Sequence, residues 1–217
     1  MPMGEEGFVT VTRHPLEHRI WHWVFVVTMG MLILTGIEMY FGLRIFGGFS
    51  LARSWHVLFA FIAVSWAYPI FLYLYWVTGE LKELVPARSD VRTFGQIAKN
   101  FLGLSTFYPE HSTYDIEAKK YIRKYNPGQK MVYWGILLFL LVEVLTGFAL
   151  LWPDAFGFVA LILGNMAMVR ALHLAVFYVI LGLVVVHIYM ATIPQNWGSL
   201  RSMFLGVASE RVHKPDP

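Results

Sequence analysis

The sequence predicts an all-α integral membrane protein, a bundle of four transmembrane helices with both termini cytoplasmic, and three observations carry that prediction. First, 57% of the 217 residues are hydrophobic and only 14% are charged, with a mean hydropathy of +0.56, the composition of a chain whose solvent is lipid. Second, four apolar stretches, 20–41, 55–77, 131–152 and 171–193, are each long enough at about 1.5 Å per residue to cross a hydrocarbon core of about 30 Å. Third, the cations are sorted. Of the 17 Lys and Arg, Arg44, Arg53 and Arg170 occupy the connections after the first and third spans, and all the others precede the first span, lie in 79–130 or lie in the tail 194–217. Positive charge stays on the cytoplasmic side, so the expected location is the inner membrane of the cell, crossed several times. The pI near 9.1 follows from this sorting and implies no nucleic-acid partner. The length leaves little beyond one bundle, so 1–217 reads as a single transmembrane domain.

In chain order, the start MPMGEEGFVTVTRHP lacks a basic n-region and a small-residue cleavage site, so no cleavable signal peptide is expected. The first span has Trp21 and Trp23 at one end and Tyr40 at the other as interface anchors, and a short connection, 44–54, leads to the second, where Pro69 predicts a kink. The cytoplasmic segment 79–130 is too charged to span, with 94–107 expected as an interfacial helix or a partner-facing one. The third span carries the acidic residue Glu143 and stops at Trp152-Pro153. The patch 156–168 is too short and too interrupted by Gly and Asn to span, and reads as an outer-surface or re-entrant segment. In the tail, Trp197, Leu200, Met203, Phe204 and Val207 follow a helical spacing suited to the interface.

The absence of cysteine excludes thiolate-held iron–sulfur clusters, covalently attached haem and disulfides, so a redox centre here is held by His or Met. His173 and His187 are fourteen residues apart on the fourth span, about 21 Å along the axis and close to four turns, so they share one face at two depths. Two stacked ligand sites and two interfacial histidines bonded to neighbours are both open on that helix alone. The topology then gives depths to the others. His22 lies at the cytoplasmic entrance of the first span with His187, and His56 lies near the outer face with His173. Facing histidine pairs supply both axial positions of a haem iron, which predicts two b haems. Gly36, Gly147 and Gly182 leave room for the macrocycles, or simply serve close helix packing.

LEHRIWHWVF at 16–25, ARSWHVLFAF at 52–61, KYNPGQKMVYW at 124–134, RALHLAVFYVILGLVVVHIYMA at 170–191 and GSLRSMFLGVAS at 198–209 resemble the cytochrome b, or gamma, subunit of quinone-linked respiratory formate dehydrogenases. The resemblance implies two haem b groups ligated by His22, His56, His173 and His187. It also implies electrons from an iron–sulfur subunit at the outer face, a separate catalytic dehydrogenase subunit, a higher oligomer of the complex, and quinone, menaquinone or ubiquinone, reduced near the cytoplasmic face. Related anchors serve nickel–iron hydrogenases and thiosulfate reductases. Asn126-Pro127-Gly128-Gln129 reads from chemistry alone as a turn and an amide-rich helix start. The resemblance instead places the quinone at Asn126, Gly128 and Gln129, next to His187, with Pro127 where the family often has an aromatic residue.

Other candidates are weaker. Pro15 breaks the four-residue spacing of His14, His18 and His22, so His14 and His18 are expected to be solvated or to touch haem propionates rather than bind a metal. His111 and His213 read as surface residues. Glu143 is expected to be protonated and to bond between helices. Lys119, Lys120, Arg123 and Lys124 face propionates or anionic lipid, or form a plain cytoplasmic cluster. A stand-alone four-helix cytochrome b oxidoreductase and a histidine-based metal transporter are the alternatives. The transporter predicts no haem spectrum and lacks an acidic pathway.

Overall fold

The computed structural model describes residues 7–106 and 113–213. Four helical stretches have the length and apolarity of membrane spans, Leu16–Phe41, Phe49–Val77, Pro127–Leu151 and Met166–Thr192. Each starts several residues ahead of the stretch read from hydropathy, because helical hydrogen bonding continues into polar flanks such as Glu17-His18-Arg19 that an apolarity criterion trims away.

Helix α1, Leu16–Phe41, carries in its last turn a residue that hydropathy passes over. Glu38 is fully buried, and its carboxylate accepts the N–H of Phe46 at 2.6 Å and of Gly48 at 2.7 Å. The last turn of α1 thereby gathers the loop 42–48 and sets the start of α2, Phe49–Ile62. The expected kink in the second span is present. A π-helical turn, Ala63–Ala67, separates α2 from α3, Tyr68–Val77. Pro69 has no N–H to give to the preceding turn, which widens there. The Ala67 carbonyl at this turn accepts the Trp21 indole N–H at 2.7 Å.

After α4, Leu81–Leu84, α5 runs Arg88–Phe101, started by Asp90 accepting the Ala87 N–H at 2.8 Å. The helix expected over 94–107 is thus displaced towards the N-terminus, and Phe107 lies outside the described residues. Helix α6 is Pro127–Leu151. The apolar patch 156–168 divides into the end of α7, Pro153–Leu163, and the start of α8, Met166–Thr192, with Gly164 at φ 104° breaking the two. Val159 of α7 packs with Ala149 and Val169.

The all-α expectation needs correction. Strands β1 Phe8–Thr12, β2 Thr113–Asp115, β3 Lys120–Arg123 and β4 Val207–His213 form one sheet in the order β1-β4-β2-β3. β1 pairs antiparallel with β4 in the register Phe8↔Arg211 to Thr12↔Val207, and β2 pairs parallel with β4. Val9 and Val11 on one strand and Ala208 and Val212 on the other alternate inward with period two. The tail reading is corrected in the same place. Helix α9 covers only Trp197–Leu205 and stops at Gly206 with φ 85°, so Val207 belongs to a strand.

Within the described residues the chain forms two compact units. One comprises the segment before Ile20, Tyr75–Trp134 and the segment from Tyr189 onward, and contains the sheet, α4, α5 and α9. The other comprises Ile20–Leu74 and Gly135–Ile188. Its core is Met29, Leu140, Val176 and Ile180, with Phe25, Leu32, Phe139 and Leu172 around them.

Candidate functional site

In the helical unit, four predicted ligands meet in two pairs. His22 faces His187 and His56 faces His173, each pair with ring centroids 6.4 Å apart. A six-coordinate iron held about 2 Å from one nitrogen of each imidazole would separate the centroids by about 6.2 Å, since each centroid lies about 1.1 Å behind its nitrogen. Both pairs therefore have the spacing of a bis-imidazole site. Among the described residues no group of three or more His, Cys, Asp or Glu is placed to hold a metal ion. Two protein ligands suit a metal whose other ligands come from a macrocycle.

The second nitrogen of each ring in the His56–His173 pair is held by a threonine. Thr35 donates its hydroxyl to the Met31 carbonyl at 2.6 Å, which leaves its oxygen to accept His56 Nδ1–H at 2.9 Å. Thr146 donates to the Val142 carbonyl at 2.7 Å and accepts His173 Nδ1–H at 2.8 Å. With both Nδ1 atoms protonated, both Nε2 lone pairs are free for a metal. Gly36 and Gly147 follow these threonines, and a Cβ on either would lie 3.7 or 3.6 Å from the Cε1 of the neighbouring imidazole. A Cβ added to Gly182 would meet no neighbouring atom within 4 Å among the described residues. Thr35 and Thr146 were not among the sequence candidates, although LILTG at 32–36 and EVLTG at 143–147 repeat one pattern on two helices. Glu143 does bond between helices, and its partner is His173 itself, Oε2 to Nδ1 at 2.5 Å.

In the His22–His187 pair, His22 Nδ1 is buried and has no hydrogen-bond partner among the described residues. A buried polar atom of this kind is normally satisfied by a bound group or an ordered water.

The other unit holds the amide motif. Asn126 Oδ1 accepts the Gln129 N–H at 2.9 Å and Gln129 Oε1 accepts the Asn126 N–H at 3.0 Å, a reciprocal capping box. Pro127 occupies the first helical position, where its fixed φ favours the helix. The expected turn is therefore the first turn of α6. Each amide has committed its oxygen, so the group it presents is its NH2, a donor. A Cβ on Gly128 would lie 3.3 Å from Asn126 Oδ1 and 3.5 Å from Ile97 Cδ1. The α6 start is braced by Lys130 on Asp90 at 3.0 Å and by the Trp134 indole on the Leu84 carbonyl at 2.9 Å.

Two expectations for the basic and histidine-rich flanks are narrowed in this unit. Lys124 is buried, bonded to Glu80 at 2.5 Å beside the Tyr125 hydroxyl, which donates to Glu80 at 2.6 Å. Burial pushes its ammonium pKa down, against the opposing pull of Glu80, and drives the Tyr125 phenol well up. Lys119 and Lys120 are exposed. His18 is buried against Tyr75, with centroids 5.4 Å apart, rather than solvated, because α1 begins early enough to carry it inside. His14 Nδ1 lies 2.8 Å from Ser202 Oγ. The backbone of His213 ends β4, and His111 lies outside the described residues.

A family model described as prokaryotic cytochrome b561 matches residues 13–206. The chain is 28% identical over 210 residues to the formate dehydrogenase cytochrome b556 subunit of Haemophilus influenzae, covering 94% of this chain and 79% of that one. It is 25% identical over 215 residues to the nitrate-inducible formate dehydrogenase cytochrome b556(Fdn) subunit of Escherichia coli K12, covering 94% and 87%. It is 28% identical over 222 residues to the F420 non-reducing hydrogenase II cytochrome subunit of Methanosarcina mazei, covering 90% and 82%. No solved structure gives a significant match.

Proposed function

Because the chain belongs to the prokaryotic cytochrome b561 family, we propose that it is the dihaem membrane subunit of a formate dehydrogenase-type complex, accepting electrons from an iron–sulfur subunit and passing them to quinone. The observation that carries this reading is the pair of imidazole pairs, each at 6.4 Å. Haem b, when bound, supplies reversible one-electron chemistry. His22 and His187 hold one group and His56 and His173 the other. Thr35 and Thr146 fix the tautomer of the second pair, and the core around Met29, Leu140, Val176 and Ile180 keeps water out of the helical unit. With both termini cytoplasmic, the His56–His173 site is the outer one and receives electrons, and residues 1–217 act as one cytochrome b domain in the inner membrane. Quinone binds at Asn126, Gly128 and Gln129, where the two NH2 groups donate to a carbonyl oxygen that becomes more basic as it is reduced. The catalytic dehydrogenase and the iron–sulfur relay reside in partners, since the chain has no cysteine. A hydrogenase anchor is the second reading, favoured by the Methanosarcina mazei relative.

The test is a haem count on the purified protein with the four ligand variants. Two noncovalent b haems per chain are expected. His56→Ala or His173→Ala should lose one, and His22→Ala or His187→Ala the other. One haem or none in the unaltered protein refutes the reading. Reduction of the haems in native membranes by formate or by hydrogen, together with the polypeptides that co-purify, separates the two complexes.

A further inference from the structure

We propose that Glu143 is a positioning residue that strengthens His173 as a ligand and so lowers the potential of the haem held by His56 and His173. The inference rests on the haem reading above. Two helices present the same five-residue pattern to that site, LILTG from α1 and EVLTG from α6. In both, the threonine accepts an imidazole Nδ1–H, at 2.9 and 2.8 Å. In both, a Cβ added to the glycine would lie 3.7 or 3.6 Å from the Cε1 of that ring. The patterns differ in chemistry at their first position. Leu32 packs into the apolar core. Glu143 instead turns Oε2 to His173 Nδ1 at 2.5 Å, sharing that one N–H with Thr146 as a second acceptor.

This placement is not a by-product of helix packing. Glu143 Oε1 is buried and has no hydrogen-bond partner among the described residues, so the hydrogen bonding of the carboxyl group is directed at one atom, His173 Nδ1. Burying such a group costs free energy unless its contact compensates, and leucine serves the equivalent position on α1. The contact has a specific chemical effect. A carboxylate accepting the distal N–H of a ligating imidazole draws that proton away and raises the electron donation of the other nitrogen. Stronger donation favours the oxidised metal. His56, held by a neutral hydroxyl, lacks this enhancement, so the site has one ordinary and one strengthened ligand.

The experiment is a spectroelectrochemical titration of both haems, with low-temperature EPR of the oxidised protein, in wild type, Glu143→Gln and Glu143→Leu. Glutamine keeps a weaker neutral acceptor, and leucine recreates the Leu32 arrangement. The potential of the His56–His173 haem should rise from wild type through the glutamine to the leucine variant. Its EPR signal should shift in the same order, while the His22–His187 haem is unchanged. Unchanged potential and EPR in both variants would overturn the inference. So would loss of haem without a shift in what remains, which is the signature of a packing role. If the His173→Ala protein still holds both haems, it is the ligand assignment that fails instead.

Discussion

Replacing Asn126 tests whether the capping box only starts a helix or also serves the substrate. The box uses Asn126 Oδ1, so Asn126→Asp and Asn126→Ser retain an acceptor there and are comparable N-caps, leaving helix stability within about 0.5 kcal/mol. Both lack the NH2 group. A hydrogen bond to a charged oxygen contributes about 1.5–3 kcal/mol, so losing one donor to a developing quinone anion should slow its reduction roughly 10- to 150-fold. Serine controls for the charge that aspartate introduces. Asn126→Leu removes both acceptor and donor, and should add a loss of about 1 kcal/mol in stability. The assay is stopped-flow reoxidation of prereduced haems by a short-chain quinone, with thermal unfolding followed in parallel. Slow reoxidation with unaltered unfolding in the aspartate and serine variants is expected. If both reoxidise at the wild-type rate and only the leucine variant is impaired, Asn126 is a helix cap and nothing more.

Gly128→Ala brings a methyl to 3.3 Å from Asn126 Oδ1, and should slow haem reoxidation while both haems remain bound; a wild-type rate would mean that the cap yields to the methyl. Glu38→Leu removes the acceptor of two loop amides, at a cost of about 1–3 kcal/mol for each donor left buried. Hydrogen exchange at Phe46 and Gly48 should accelerate, and unaltered protection would contradict the assigned role. Glu80→Leu strands Lys124 and the Tyr125 hydroxyl and should cost about 3–5 kcal/mol, much of it recovered in Glu80→Leu/Lys124→Leu. Equal thermal destabilisation of the single and double variants would show that the pair is not energetically coupled.

What could be read from the chain was what period and hydropathy encode. The four spans follow from apolar length, and the meeting of His22 with His187 and of His56 with His173 follows from depth alone once the spans are placed. The sheet was missed for a different reason. FVTVT and VASERVH do alternate, but their pairing joins residues about two hundred positions apart, and short strands flanking strong helical signals have no local cue to each other. Lys124 is not legible as buried because a lysine in a basic cluster looks solvated until Glu80, 44 residues earlier, is seen to cover it. Thr35 and Thr146 went unnoticed because a threonine inside a span normally bonds only its own helix, as Thr28 does to Val24. Only their shared neighbourhood, a glycine behind and an imidazole in front, distinguishes them.

That neighbourhood makes the two histidine pairs unequal. Holding a metal between two imidazoles is favoured when each ring is fixed to within about 0.5 Å beforehand. At His56 and His173 the helices provide this directly, since each Nδ1 is tied to a threonine whose own hydroxyl proton is committed to a carbonyl one turn earlier. Neither ring can flip without breaking that bond. His22 has no such tether among the described residues, and its Nδ1 is buried without a partner. Orientation of the His22 ring would then come from a bound group or from an ordered water. Among the described residues, then, the His56–His173 pair is held in place by its own helices, whereas His22 would be fixed by whatever group binds it.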